Sequence, residues 1–109
     1  MTAMLDEYAA IVGNAVIDHL RQLAEPLKGM RVVHVNSTRE GGGVAEILNW
    51  LIPFKQELGL DVRWEVINGE SPFYQCTKSF HNGLQGTPVG IPPVLLRAYE
   101  QTNADNAQR

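Results

Sequence analysis

The sequence holds a single cysteine, Cys76, so no disulfide can form within the chain. A lone thiol fits a reducing setting, and the expected location is cytoplasmic. Long apolar runs are missing too. None approaches the roughly 20 residues of a membrane-spanning helix, so no membrane partner is expected. Neither sign of charge dominates: nine Lys and Arg stand against twelve Asp and Glu, for a net charge of −3. That leaves no basic field to gather nucleic acid. The N-terminus lacks a basic stretch followed by an apolar one, so no secretory leader is expected. No His/Cys grouping has metal-ligand spacing, and no internal repeat occurs. What is present is 44% apolar residues in a chain of 109, enough for one small domain with a core.

Apolar spacing divides the chain into six elements. Leu5, Tyr8, Val12, Ala15, Val16, His19, Leu20 and Leu23 recur at intervals of three and four, which predicts one leading helix over residues 1–29 that ends at Pro26 and Gly29. Arg31–Asn36 is rich in β-branched residues and nearly continuous, the pattern of a strand covered on both faces. A second helix is predicted over residues 44–58, with Val44, Ile47, Leu48, Leu51 and Leu58 as its stripe and a kink at Pro53. Residues 61–67 alternate, as a half-exposed strand does. Ser71 then reads as an N-cap before Pro72, opening a helix that turns Phe73, Thr77, Phe80 and Leu84 inward. Residues 87–109 read as a short helix from Pro92 to Tyr99 and a frayed tail from Thr102. The order helix, strand, helix, strand, helix, helix predicts an α/β class: a partial Rossmann-like unit with a right-handed parallel crossover.

The richest segment joins the first strand to the second helix. Gly41, Gly42 and Gly43 follow Ser37, Thr38, Arg39 and Glu40. Without a Cβ, such a loop lets backbone come close to a ligand. The helix behind it offers unpaired N–H groups and a positive dipole end, suited to phosphate or sugar oxygens. Arg39 would add a charged clamp on phosphate. A loop whose glycines merely allow a sharp turn is the plain alternative. A dinucleotide site stays open as another. Counted from Gly41 the third glycine of G-x-G-x-x-G is replaced by Glu46, yet Glu70 stands just past the second strand, where a ribose-binding acid would be.

The run Val32-Val33-His34-Val35-Asn36-Ser37-Thr38, continued by Gly41-Gly42-Gly43-Val44-Ala45-Glu46-Ile47-Leu48, resembles the start of the trehalose glycosyltransferring synthases and the related retaining trehalose phosphorylases. The similarity continues through residues 58–67 and resumes at Phe73 and at Thr77-Lys78-Ser79-Phe80-His81-Asn82-Gly83-Leu84-Gln85-Gly86. The resemblance implies the first part of the N-terminal domain of a GT-B glycosyltransferase, one with two facing Rossmann-like domains. It implies transfer of glucose from a nucleotide-diphosphate glucose to free glucose, with no bound metal or organic cofactor. Carried over, the substrate-binding positions are Gly41, Gly42, Gly43 and Val44, with Asn36, Arg39 and Glu46 beside them. His81 resembles a position near the sugar, a helix-surface or core histidine being the alternative.

The resemblance assigns donor-nucleotide and catalytic groups to a C-terminal domain, so no catalytic residue is assigned here and the 109-residue chain is expected to be inactive alone. His34 reads as a buried, hydrogen-bonded histidine, His19 as packing and Cys76 as a structural thiol. Trp50 and Trp64 suit burial more than sugar stacking. Two parallel strands alone leave Val32, Val35, Val62 and Trp64 poorly covered, so self-association by strand pairing or domain swapping is expected, with a self-associating piece lacking any ligand as a further alternative.

Overall fold

Gly13 ends the first helix. Its backbone has φ 92° and ψ 153°, a combination essentially reserved for glycine. Its N–H closes the last turn on the Ala9 carbonyl at 2.8 Å. In this computed structural model, which describes residues 4–109, the leading helix is therefore two: α1, Met4–Val12, and α2, Asn14–Ala24. The expected single stripe does not survive the break. Leu5, Ile17 and Ala24 are buried, whereas Val12, Val16 and Leu23 are about half exposed and His19 lies on the surface. A glycine in that conformation resets the helical phase, so one 3.6-residue count cannot run through it. The first three residues of the expected helix lie outside the described ones.

The backbone divides into two compact units, Met1–Val66 and Ile67–Arg109. In the first, a single 3-10 turn at Glu25–Leu27 leads to β1, Arg31–Asn36. Then come α3, Gly43–Glu57, and β2, Asp61–Val66. β1 and β2 pair in parallel with Val32 beside Val62, His34 beside Trp64 and Asn36 beside Val66. This is the expected strand–helix–strand unit, and the chain is of the α/β class. Pro53 lies inside α3, which continues past it to Glu57.

The core of this unit is Leu48, Ile52 and Val62, with Val32, Leu60 and Trp64 packed against it. Burial of an aliphatic side chain of this size contributes about 1.5–3 kcal/mol. The buried line of α3 is thus Ala45, Leu48 and Ile52. Val44 and Ile47, expected on the inner stripe, are 60% and 61% exposed. The expectation of two covered faces for β1 also fails. Val33 is 54% and Val35 61% exposed, because α3 covers only the sheet face that carries Val62. The alternation expected of β2 is as observed, with Val62 buried and Arg63 and Glu65 outside. Gln56 Nε2 donates to the Val62 carbonyl at 2.9 Å and ties the end of α3 to β2. Tyr8 meets Phe54 edge-on, and the Leu5 N–H donates to Glu57 Oε2 at 3.2 Å, docking α1 on α3.

The second unit is a helix pair: α4, Ser71–Leu84, and α5, Pro93–Ala107. Ser71 is already helical; Glu70 holds the cap position in extended backbone, and Pro72 sits in the first turn. Phe73 and Cys76 are buried, but Leu84, expected inward, is 89% exposed at the helix end. Tyr99 stacks on Phe73 and meets Phe80 edge-on, so the two helices share an aromatic seam. The expected frayed tail is instead helical through Ala107. Its anchor is Asn106, whose Nδ2 donates to the Asn68 carbonyl while its Oδ1 accepts from the Asn68 N–H, at 3.0 and 2.9 Å. Periodicity cannot register such a polar clamp.

Candidate functional site

The glycine loop begins where β1 ends at Asn36 and finishes as α3 begins at Gly43. Gly41 has φ 74°, and Gly42, the N-cap of α3, has φ 81° and ψ 159°. Both conformations strongly disfavour a side chain. A Cβ built on Gly41, Gly42 or Gly43 meets nothing within 4 Å. The loop therefore needs glycine at 41 and 42 for backbone conformation rather than for packing, and the three face open space.

No side chain caps α3. The Glu46 N–H is bonded to the Gly42 carbonyl at 3.2 Å, so the N–H groups of Gly43, Val44 and Ala45 precede the helical ladder. They share the positive end of the helix dipole, which favours anionic or hydroxyl oxygens. Glu46 stands exposed in the same first turn. Its carboxylate repels an anion and accepts from a hydroxyl.

The approach to the glycines is built from side chains. Asn36 Oδ1 accepts from Trp64 Nε1 at 2.7 Å, and its Nδ2 donates to the Thr38 carbonyl at 2.7 Å. Thr38 Oγ1 donates to the Glu40 carbonyl at 2.6 Å and accepts from the Glu40 N–H at 3.1 Å. Arg39 crosses to β2: one guanidinium nitrogen donates to the Trp64 carbonyl at 2.7 Å, and its carbon lies 5.1 Å from the Trp64 ring centre. Four of the anticipated positions, Asn36, Arg39, Gly41 and Gly42, thus belong to one fastened loop, with Gly43, Val44 and Glu46 opening the helix behind it. His81 lies in the second unit, exposed in the last turn of α4, where its carbonyl accepts the Gln85 N–H. Glu70 occupies the N-cap position of α4 in that same unit, with no side-chain capping bond.

Two residues of this loop system were not anticipated as such: Trp64, read as a core residue, and Thr38. The signal for Trp64 is the parallel register. With His34 opposite Trp64, Asn36 lies two residues along the same face, within reach of an indole.

Each unit also carries a groove. In the first, about 450 Å³ is lined by apolar residues, Val12, Val16, Ile47 and Trp50 among them, and offers no chemistry. In the second, about 560 Å³ is lined by Asn68, Glu70, Asp105 and Arg109 together with Pro72, Phe73 and Ala98, a mixed polar and apolar surface that does not include His81. Among the described residues no cluster of three His, Cys, Asp or Glu could hold a metal ion, and no helix is long and apolar enough to cross a membrane.

The family model described as "Trehalose synthase, N-terminal domain" matches residues 34–109. The trehalose synthase of Thermococcus litoralis is 43% identical over 105 residues, which cover 95% of this chain and 26% of that protein. That of Rubrobacter xylanophilus is 41% identical over 104 residues, 95% of this chain and 25% of the relative. The trehalose phosphorylase of Grifola frondosa is 34% identical over 104 residues, 94% of this chain and 14% of the relative. The chain spans about a quarter of the length of the curated synthases it matches. With the glycine loop, α3, β2 and the whole second unit inside the matched region, this chain belongs to the trehalose synthase N-terminal domain family.

Proposed function

We propose that the glycine loop is the oxygen-binding edge of the acceptor-side domain in a retaining glycosyltransferase that makes trehalose from a nucleotide-diphosphate glucose and glucose. The observation that carries this reading is Gly42. It holds a conformation that only glycine adopts easily, directly before an uncapped helix, at the carboxyl end of a parallel strand. There the Gly43, Val44 and Ala45 N–H groups are free of helical partners and suit the donor's phosphate oxygens. Glu46, repelling anions and accepting from hydroxyls, suits a sugar. Asn36 and Arg39 shape the loop, and Arg39 retains nitrogens for a phosphate. His81 belongs to this reading only through the resemblance of its segment.

The full reaction moves a glucosyl group from the donor's diphosphate oxygen to an acceptor hydroxyl, releasing the nucleoside diphosphate. The resemblance places the donor-nucleotide and catalytic groups in a C-terminal domain, so on this reading the 109 residues alone bind but do not turn over. The test is titration of the ¹⁵N-labelled chain with UDP-glucose, ADP-glucose and a nicotinamide dinucleotide. Shifts of the Gly41, Gly42, Gly43 and Val44 amides with a nucleotide-glucose are expected. A response to the dinucleotide alone, or none to any of the three, would overturn the reading.

A further inference from the structure

We infer that Trp64 is the positioning residue of the glycine loop. The inference rests on the reading of that loop as an oxygen-binding edge, and it assigns the loop's shape to one residue on the other strand, through its side chain and its backbone carbonyl.

Trp64 holds the loop in three ways. Its indole N–H donates to Asn36 Oδ1 at 2.7 Å, and Asn36 passes the tie on through Nδ2 to the Thr38 carbonyl. Its backbone carbonyl accepts from Arg39 at 2.7 Å. Its ring lies under the same guanidinium, 5.1 Å from centre to carbon. The residues that enter the loop, Asn36 through Arg39, are therefore fastened on both sides to one residue of β2. Beyond Arg39 the chain has only Glu40, tied to Thr38, before the two glycines in their left-handed conformations. Glycine is the residue with most freedom to lose, so a run of three holds a shape only if its entry is held. The ring itself rests against the core of Leu48, Ile52 and Val62, which gives the anchor a rigid base.

Arg39 changes meaning in this account. A guanidinium already hydrogen-bonded and stacked is a latch first, and it presents its remaining donors from a preset direction. Pre-set donors lose less freedom on binding than mobile ones.

The test is Trp64→Phe, which keeps a ring under Arg39 and removes the indole donor. Backbone order parameters of Gly41, Gly42 and Gly43 are measured by ¹⁵N relaxation, and amide protection of β1 and β2 by hydrogen exchange. We expect the loop values to fall from about 0.85 toward 0.6 while strand protection is kept. A merely structural tryptophan would instead lower strand protection and loop order together, or neither, and either result overturns the inference. Should Trp64→Phe fail to fold, Arg39→Ala decides. That side chain is exposed, and the same loss of loop order is expected. Pyrophosphate titration forms the second arm. If it shifts the loop amides of the unsubstituted chain, Trp64→Phe weakens binding about tenfold, the scale of one ordinary hydrogen bond. Unchanged affinity overturns the inference. Silence of the unsubstituted chain overturns the oxygen-binding reading, and the order parameters still decide whether Trp64 holds the loop.

Discussion

Lys55 on α3 places its ammonium 3.2 Å from Nε2 of His34 on β1, across a half-buried gap. An ammonium only donates, so a hydrogen bond at this contact requires Nε2 to accept, which is the Nδ1–H tautomer. Long-range ¹⁵N–¹H correlations of the imidazole should therefore report the Nδ1–H tautomer. Lys55→Met should leave the tautomers mixed and cost about 1 kcal/mol. An Nε2–H ring in the unsubstituted chain would contradict the contact.

Gly42 and Gly43 should respond differently to alanine. Gly42 has φ 81° and ψ 159°, so Gly42→Ala carries a strain of about 1–3 kcal/mol although nothing blocks the methyl group. Gly43 is already helical and equally unobstructed, so Gly43→Ala should be neutral or slightly stabilising. Thermal melts rank the two. Equal effects would mean that the loop adapts and that the positive φ at Gly42 is not required.

Gly13→Ala should cost a similar 1–3 kcal/mol, roughly, for the same backbone reason. The break between α1 and α2 rests on that φ of 92°. A drop in melting temperature without loss of helix content by circular dichroism is expected. A rise in both would show that one continuous helix is the better state.

Asn106→Ala removes both ends of the clamp on Asn68. The helical stretch beyond Thr102 should then exchange its amides faster, while the Phe73–Tyr99 contact keeps the earlier turns of α5 in place. Unaltered exchange at residues 103–107 would show that helix propensity alone sustains the last turns.

Of the four residues expected to lack cover, Val62 is buried and Val32 and Trp64 pack on the core because α3 covers that face, so the expectation now rests on Val35 and its neighbour Val33: we expect the chain to self-associate through the sheet face where these two are exposed. Light scattering against concentration reads this, and Val35→Lys should shift the equilibrium toward monomer. A strictly monomeric chain at high concentration would refute it.

Much of this was legible in the residues. The β-branched run of β1, the alternation of β2 and the loop between them announced a parallel crossover. The resemblance across residues 30–86 points to the family from the residues alone. The misplacements have separate causes. Leu23 lies beyond the break at Gly13, Leu84 lies at the end of α4, and Val44 reads as inward because periodicity tells that a helix has an apolar face, not which neighbour meets it. Apolar residues exceed what one sheet face can cover here, so Ala45, Leu48 and Ile52 won the contact with Val62.

The sequence by itself determined the class, the family and the glycine loop's backbone chemistry, because glycine's freedom and β-branched stiffness are local properties. Only the tertiary structure decided what holds the glycine loop. Trp64 and Asn36 are 28 positions apart, and nothing local relates them. Parallel pairing set them on one face within 2.7 Å, and that distance turns a core tryptophan into the anchor of the loop.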